Sequence, residues 1–104
     1  MECAQQGDIL WLEKEALHVL VLSREFFNRS GMSVVCPLRD YAKPDALHIG
    51  ITSEAYTGMA LIEHLRSLDL EARHYRKVSC ISYEQIQDIS DAVQGIFDYN
   101  PYSI

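Results

Sequence analysis

Leu17-His18-Val19-Leu20-Val21-Leu22-Ser23-Arg24-Glu25-Phe26-Phe27-Asn28-Arg29-Ser30-Gly31-Met32-Ser33-Val34-Val35-Cys36-Pro37-Leu38 is the stretch on which the fold turns. From Leu17 to Ser23 apolar residues fill both alternating sets, Leu17/Val19/Val21 and His18/Leu20/Leu22. A strand with one wet face would be polar at every second place, so this one reads as central and covered on both sides. Met32 to Leu38 is similar, with Met32/Val34/Cys36/Leu38 set against Ser33/Val35. Between the two, Phe26 to Gly31 fits a short helical turn, with Asn28, Ser30 and Gly31 serving the reversal.

Upstream, Gly7-Asp8 reads as a turn feeding a strand at Ile9-Leu10-Trp11-Leu12, and Glu13 to Ala16 is a four-residue link. Two strands joined so briefly should form a hairpin. Downstream, Arg39 to Asp45 is a loop, because Pro44 cannot donate to a ladder and Asp40 and Asp45 suit turns. Ala46 to Ile51 alternates, with Leu47/Ile49/Ile51 on one face. Ser53 to Gly58 breaks the pattern, and Met59 to Ile62 resumes it and runs on into Glu63-His64-Leu65-Arg66-Ser67-Leu68. Asp69 to Arg73 fits one helical turn, and Tyr75 to Ile81 a last strand.

Ser82 opens the clearest helix, with Gln85 at capping-box spacing. Ile86, Ile89, Val93, Ile96 and Phe97 fall on one stripe that should pack on the sheet, and Asn100-Pro101 stops it. Tyr99 and Tyr102 in the tail either serve a dimer or cover the core. Five to seven strands and one C-terminal helix predict a β-rich α+β domain over residues 1–104, a twisted, partly closed barrel.

Composition narrows the function. With 104 residues there is room for one domain, and a hydrophobic fraction of 48% supplies a core. A net charge of −6 disfavours a large non-specific nucleic-acid footprint but leaves room for a local basic groove. Cys3, Cys36 and Cys80 are odd in number and lack metal-ligand spacing, as do the four histidines. Free thiols in a reducing cytoplasm, no metal, no cofactor and no membrane span are the expectations. The start of the chain carries no basic region followed by an apolar run, so no signal peptide is expected.

Gly7-Asp8-Ile9-Leu10-Trp11, Val19-Leu20-Val21-Leu22-Ser23, Phe27-Asn28, Gly31 to Leu38, Glu63 to Asp69 and the helix from Ser82 resemble, in order and spacing, the MazF/PemK family of toxin ribonucleases. The resemblance implies an SH3-like barrel of the CcdB/MazF type, a homodimer, and metal-independent, sequence-selective cleavage of single-stranded RNA. It also implies neutralisation by a cognate antitoxin peptide lying in the dimer groove. The departures fall on the chemistry. The family's long loop between the first two strands is reduced to Glu13–Ala16. Leu17-His18 stand where the family has Arg-Pro, and Arg39 stands where it has Thr or Ser.

Cleavage through the neighbouring 2′-hydroxyl needs a base, an acid and a cation for the phosphoryl charge. The candidate catalytic residues are therefore His18, beside the missing Arg; Arg39, which can hold a phosphate bidentately; and Glu63, at the family's carboxylate. His64 and Arg66 match the family's Gln and Arg as substrate-binding positions. His18 reads first as a hydrogen-bonded strand histidine, and Arg39 equally as a solvated loop charge. In His74-Tyr75-Arg76-Lys77, Tyr75 and Arg76 either track RNA, with a base stacked on Tyr75, or end a solvated strand. The competing function is a non-catalytic protein-binding module on the same fold. It would be a gyrase-poison-like toxin such as CcdB, or a dead relative that binds an antitoxin.

Overall fold

The hairpin expected from residues 9–22 heads a curled antiparallel sheet in the computed structural model, which describes residues 3–40 and 43–98. The strands are β1 (Asp8–Leu12), β2 (Leu17–Val21), β3 (Met32–Arg39), β4 (His48–Thr52), β5 (Thr57–Leu61), β6 (Arg66–Asp69) and β7 (Tyr75–Cys80). The helices are α1 (Glu25–Asn28) and α2 (Tyr83–Phe97). The sheet runs β4-β5-β3-β2-β1-β7, with β6 pairing on β3 off that path. The expected tail stop at Asn100-Pro101, the tail tyrosines, and Tyr41 and Ala42 of the expected loop lie outside the described residues.

β2 is central and covered on both faces, as its unbroken apolar pattern requires. Leu20 joins Ile9, Cys36, Leu38, Ile51, Ala60, Ile62 and Ile89 in one core. Val19 and Val21 join Leu10, Leu12, Val35, Leu68 and Leu70 in the other. The strand thus divides the molecule into a helix-covered side and an opposite side.

β3 makes the sheet curl by changing partner along its length. Its first half pairs with β6, Val35 opposite Arg66, and its end pairs with β5, Leu38 opposite Ala60. The Leu22 amide donates to the Val34 carbonyl at 2.8 Å, so the even residues of β3 turn their backbone groups toward β2. Pro37 is odd, and its missing N–H falls in the gap where β6 ends and β5 begins. A proline is tolerated in this central strand because nothing there needs a donor.

Three sequence expectations are corrected in detail. The run expected to continue past Ile62 is broken by a 3₁₀ turn, Ile62–His64, which buries Ile62 completely. Asp69 to Arg73 is a turn tied by Ala72 N–H to Asp69 Oδ1 at 3.2 Å, not a helical turn. The α2 stripe packs at Ile86, Ile89 and Val93, but Ile96 and Phe97 in its last turn are exposed and join neither core cluster. Ser82 caps α2 by accepting from Gln85 N–H at 3.2 Å. Gln85 does not close the capping box; its amide clamps both backbone groups of Thr52, fixing the helix start to β4. Gly7, at φ +91°, lies against this helix, and a Cβ there would meet Ile86 at 2.6 Å.

Candidate active site

The side of the sheet opposite α2 holds a cleft of about 490 Å³ lined by Leu12, Glu15, Leu17, Val19, Val35, Pro37, Arg39, Leu61, His64, Arg66, Leu68 and Arg73. Its floor is apolar. Its polar rim carries three guanidinium groups, Arg39, Arg66 and Arg73, with His64 and one carboxylate, Glu15. In a chain of net charge −6 this is a locally basic site, and it sits where an anionic ligand would be attracted.

The pleat decides which residues reach it. In the β2–β3 ladder Val19 faces Pro37 and Val21 faces Val35. Continuing that register sets Leu17 opposite Arg39, and both line the cleft. His18 lies one residue out of phase, so it projects from the other face. There its ring is held between Trp11, centroids 4.8 Å apart, and Tyr56, 4.7 Å apart. Partial burial, and then the nearby Arg76 charge, lower the His18 pKa, which keeps the ring neutral. Arg76 is on that same face, in register with Trp11 and 3.9 Å from Glu13.

The candidates from sequence therefore separate. Arg39, His64 and Arg66 come together at the cleft. Tyr75 packs beside it, against the Leu10/Leu12 core, and lines a neighbouring hollow with Arg73 and Asn28. His18 and Arg76 occupy the opposite face. Glu63 turns to His48, with Oε2 2.6 Å from Nε2, while its Oε1 lies 3.8 Å from His64 Nε2. Sequence reasoning missed Glu15 and Arg73, which form an ion pair at the cleft mouth. The available signal was the hairpin itself: Leu12 pairs with both Leu17 and Tyr75, so the β1–β2 link and the residues before β7 share one end of the sheet.

His48 holds Glu63 in place and is itself held. Its Nδ1 is 3.0 Å from the Lys43 carbonyl and 3.3 Å from Asp45. The Lys43 hydrogen bond, then Glu63 and Asp45, raise its pKa above the ordinary 6.5. A raised folded value means the protonated form is the stabilised one. That contribution is complete below the unfolded value and is lost as pH rises through the folded value. In urea melts the stability advantage of wild type over His48→Gln should shrink as the pH rises above about 6.5; identical pH dependence in the two proteins would refute the pairing.

Cys36, fully buried, has its thiol pKa pushed up to about 12 by burial and then by Glu63, so it serves as a small core residue. Among the described residues no three His, Cys, Asp or Glu side chains are disposed to hold a metal ion, and no helix is long and apolar enough to cross a membrane.

Residues 5–97 match the family model described as PemK-like, MazF-like toxin of type II toxin-antitoxin system. Among solved structures, a MazE-MazF complex from Deinococcus radiodurans superposes with a TM-score of 0.83 at 21% identity, covering 93% of this chain and 98% of that one. An endoribonuclease from a Mycobacterial species superposes with a TM-score of 0.82 at 14% identity, covering 99% and 98%. An endoribonuclease in complex with its cognate antitoxin from a Mycobacterial species gives 0.79 at 13%, covering 93% and 99%. At such identities these likenesses establish the fold. No curated protein matches the chain in a sequence search.

Proposed function

We propose that this chain, which belongs to the PemK-like, MazF-like toxin family of type II toxin–antitoxin systems, is an endoribonuclease that cuts single-stranded RNA in the Arg39–His64–Arg66 cleft. The observation that carries the reading is that Leu17 of β2 and Arg39 of β3 both line this cleft. Where toxins of this family carry an arginine on β2 facing a threonine on β3, this chain has leucine on β2 and arginine on β3. The guanidinium reaches the same cleft from the neighbouring strand.

In this reading the 2′-oxygen attacks the adjacent phosphorus and the 5′-oxygen leaves, giving a 2′,3′-cyclic phosphate and a free 5′-hydroxyl. Arg39 and Arg66 bind the phosphoryl oxygens and oppose the charge that develops on them. Arg73 adds a guanidinium whose buried Nε has no hydrogen-bond partner among the described residues. His64 and Glu15 are the groups at the rim able to move protons, one taking the 2′-hydroxyl proton and the other donating a proton to the departing 5′-oxygen. Glu63, anchored by His48, places a carboxylate 3.8 Å from His64. Two chains would place two such clefts along one groove, where an antitoxin segment could compete with RNA. Arginines would meet its carboxylates, and the floor of Leu12, Val19, Val35 and Leu68 its apolar side chains.

The test is incubation of the purified protein with a defined single-stranded RNA in the presence of a chelator. Fragments ending in 2′,3′-cyclic phosphate are expected. RNA left whole, with a cellular enzyme co-purifying instead, would favour the gyrase-poison-like reading. The observation favouring that alternative is the same Leu17, which extends the apolar floor at the family's cationic position.

A further inference from the structure

On the face opposite the cleft, three aromatic rings stand in a row: Trp11 on β1, His18 on β2 and Tyr56 in the β4–β5 turn. All three are half-buried, so each keeps part of its ring in water. The row is seated deliberately. A Cβ on Gly58 would lie 2.7 Å from Tyr56 Oη and 2.8 Å from the Arg39 carbonyl oxygen, so only a glycine lets the tyrosine lie across the end of β3. Tyr56 thus ends the row where Arg39 leaves the sheet for the cleft. At the other end Arg76 is in register with Trp11 and acts electrostatically on His18.

We infer that the Trp11–His18–Tyr56 row is a stacking platform for the bases of single-stranded RNA flanking the nucleotide held in the cleft. This inference rests on the ribonuclease reading for its choice of polymer. Stacking on aromatic rings is available to every base, while the exposed Arg76 beside Trp11 supplies a cation for a flanking phosphate. A strand leaving the cleft past Arg39 meets Tyr56 first, then His18, then Trp11. The cleft would then govern where the chain is cut, and the row how many flanking nucleotides contribute to binding.

Trp11 is the single tryptophan of the chain, so its fluorescence reports on the row alone. The probe is a short mixed-sequence 2′-O-methyl RNA, which cannot be cut because its 2′-oxygen is blocked. Its control is the same backbone without bases. The base-bearing strand should quench Trp11 and bind at least about tenfold more tightly than the abasic one, since each stacked base is expected to contribute about 5- to 150-fold. Tyr56→Leu keeps apolar volume under the row while removing a flat ring. It should lose most of that advantage without changing the salt dependence, whereas Arg39→Ala should reduce the salt slope.

Equal affinity for the two strands, or binding that leaves Trp11 emission unchanged, overturns the inference. So does a Trp11 signal that follows protein concentration alone, which would mean that a second copy of the chain covers the row. Quenching by the blocked strand together with failure to cut the unblocked one would leave the platform standing and remove the ribonuclease assignment. Cutting without quenching would do the reverse.

Discussion

Arg39→Ala should lower kcat/KM for RNA cleavage by about a thousandfold or more while leaving the thermal unfolding of the protein little changed. Removing one group that stabilises developing charge in an enclosed site costs about 10²–10³ in rate. In the proposed reaction Arg39 would serve both binding and charge stabilisation, and Leu17, which lines the cleft with it, is uncharged. Its guanidinium is tied down only weakly, by a 3.5 Å hydrogen bond from Nη1 to the Leu38 carbonyl, so little structure depends on it. Arg39→Lys should recover only part of the loss, because an ammonium is a point charge without the planar fork that grips two phosphoryl oxygens. The stronger test exchanges the pair. Arg39→Thr alone should be inactive, and Leu17→Arg with Arg39→Thr should regain activity by restoring the family's arrangement across the same two strands. A double variant no better than Arg39→Thr, or full activity in Arg39→Ala, would sink the cross-strand reading.

How far the sequence led is set by the range of each signal. β2 and β3 were legible because alternation is local: Val19, Leu20 and Val21 declare both faces of a strand without reference to anything else. The α2 stripe was legible for the same reason up to Val93. Beyond it, whether Ile96 and Phe97 are covered depends on where the sheet ends, which no helical period contains. The site was half legible. Arg39, His64 and Arg66 lie together in the cleft, because matching segments carry their positions with them. His18 was adjacent to the missing arginine in sequence, but in a strand adjacency means the opposite face. Glu15 and Arg73 are far apart in the chain, and only the closing of β7 on β1 brings them into one ion pair. Their pairing is a property of the sheet order, not of either segment.

The largest effect on stability is expected from Asn28→Ala, about 3–5 kcal/mol against the 5–15 kcal/mol typical of a whole domain. Asn28 is 3% exposed and ends α1. Its Nδ2 donates to the Ala4 carbonyl at 2.8 Å and the Ser23 carbonyl at 2.9 Å. Its Oδ1 accepts from Ser33 Oγ at 2.9 Å and also from Ser23 Oγ, and that second hydroxyl in turn accepts the Val34 amide at 2.8 Å. One side chain therefore joins the N-terminal segment, the end of β2, α1 and the start of β3. Truncating it leaves several buried groups without partners at about 1–3 kcal/mol each, partly relieved by water. Asn28→Asp should be nearly as harmful despite its equal size, since a carboxylate has no donors for two carbonyls and brings a charge into a buried place. Ser33→Ala, which removes one partner only, should cost far less, and the Asn28/Ser33 pair should be non-additive. Urea unfolding decides it: a loss below about 1 kcal/mol in Asn28→Ala would show that the network is not what holds this reversal. Because the cleft is built at the other end of β3, the folded fraction of Asn28→Ala should still cut RNA at the wild-type rate. That separates a residue the chain needs to fold from one it needs to act.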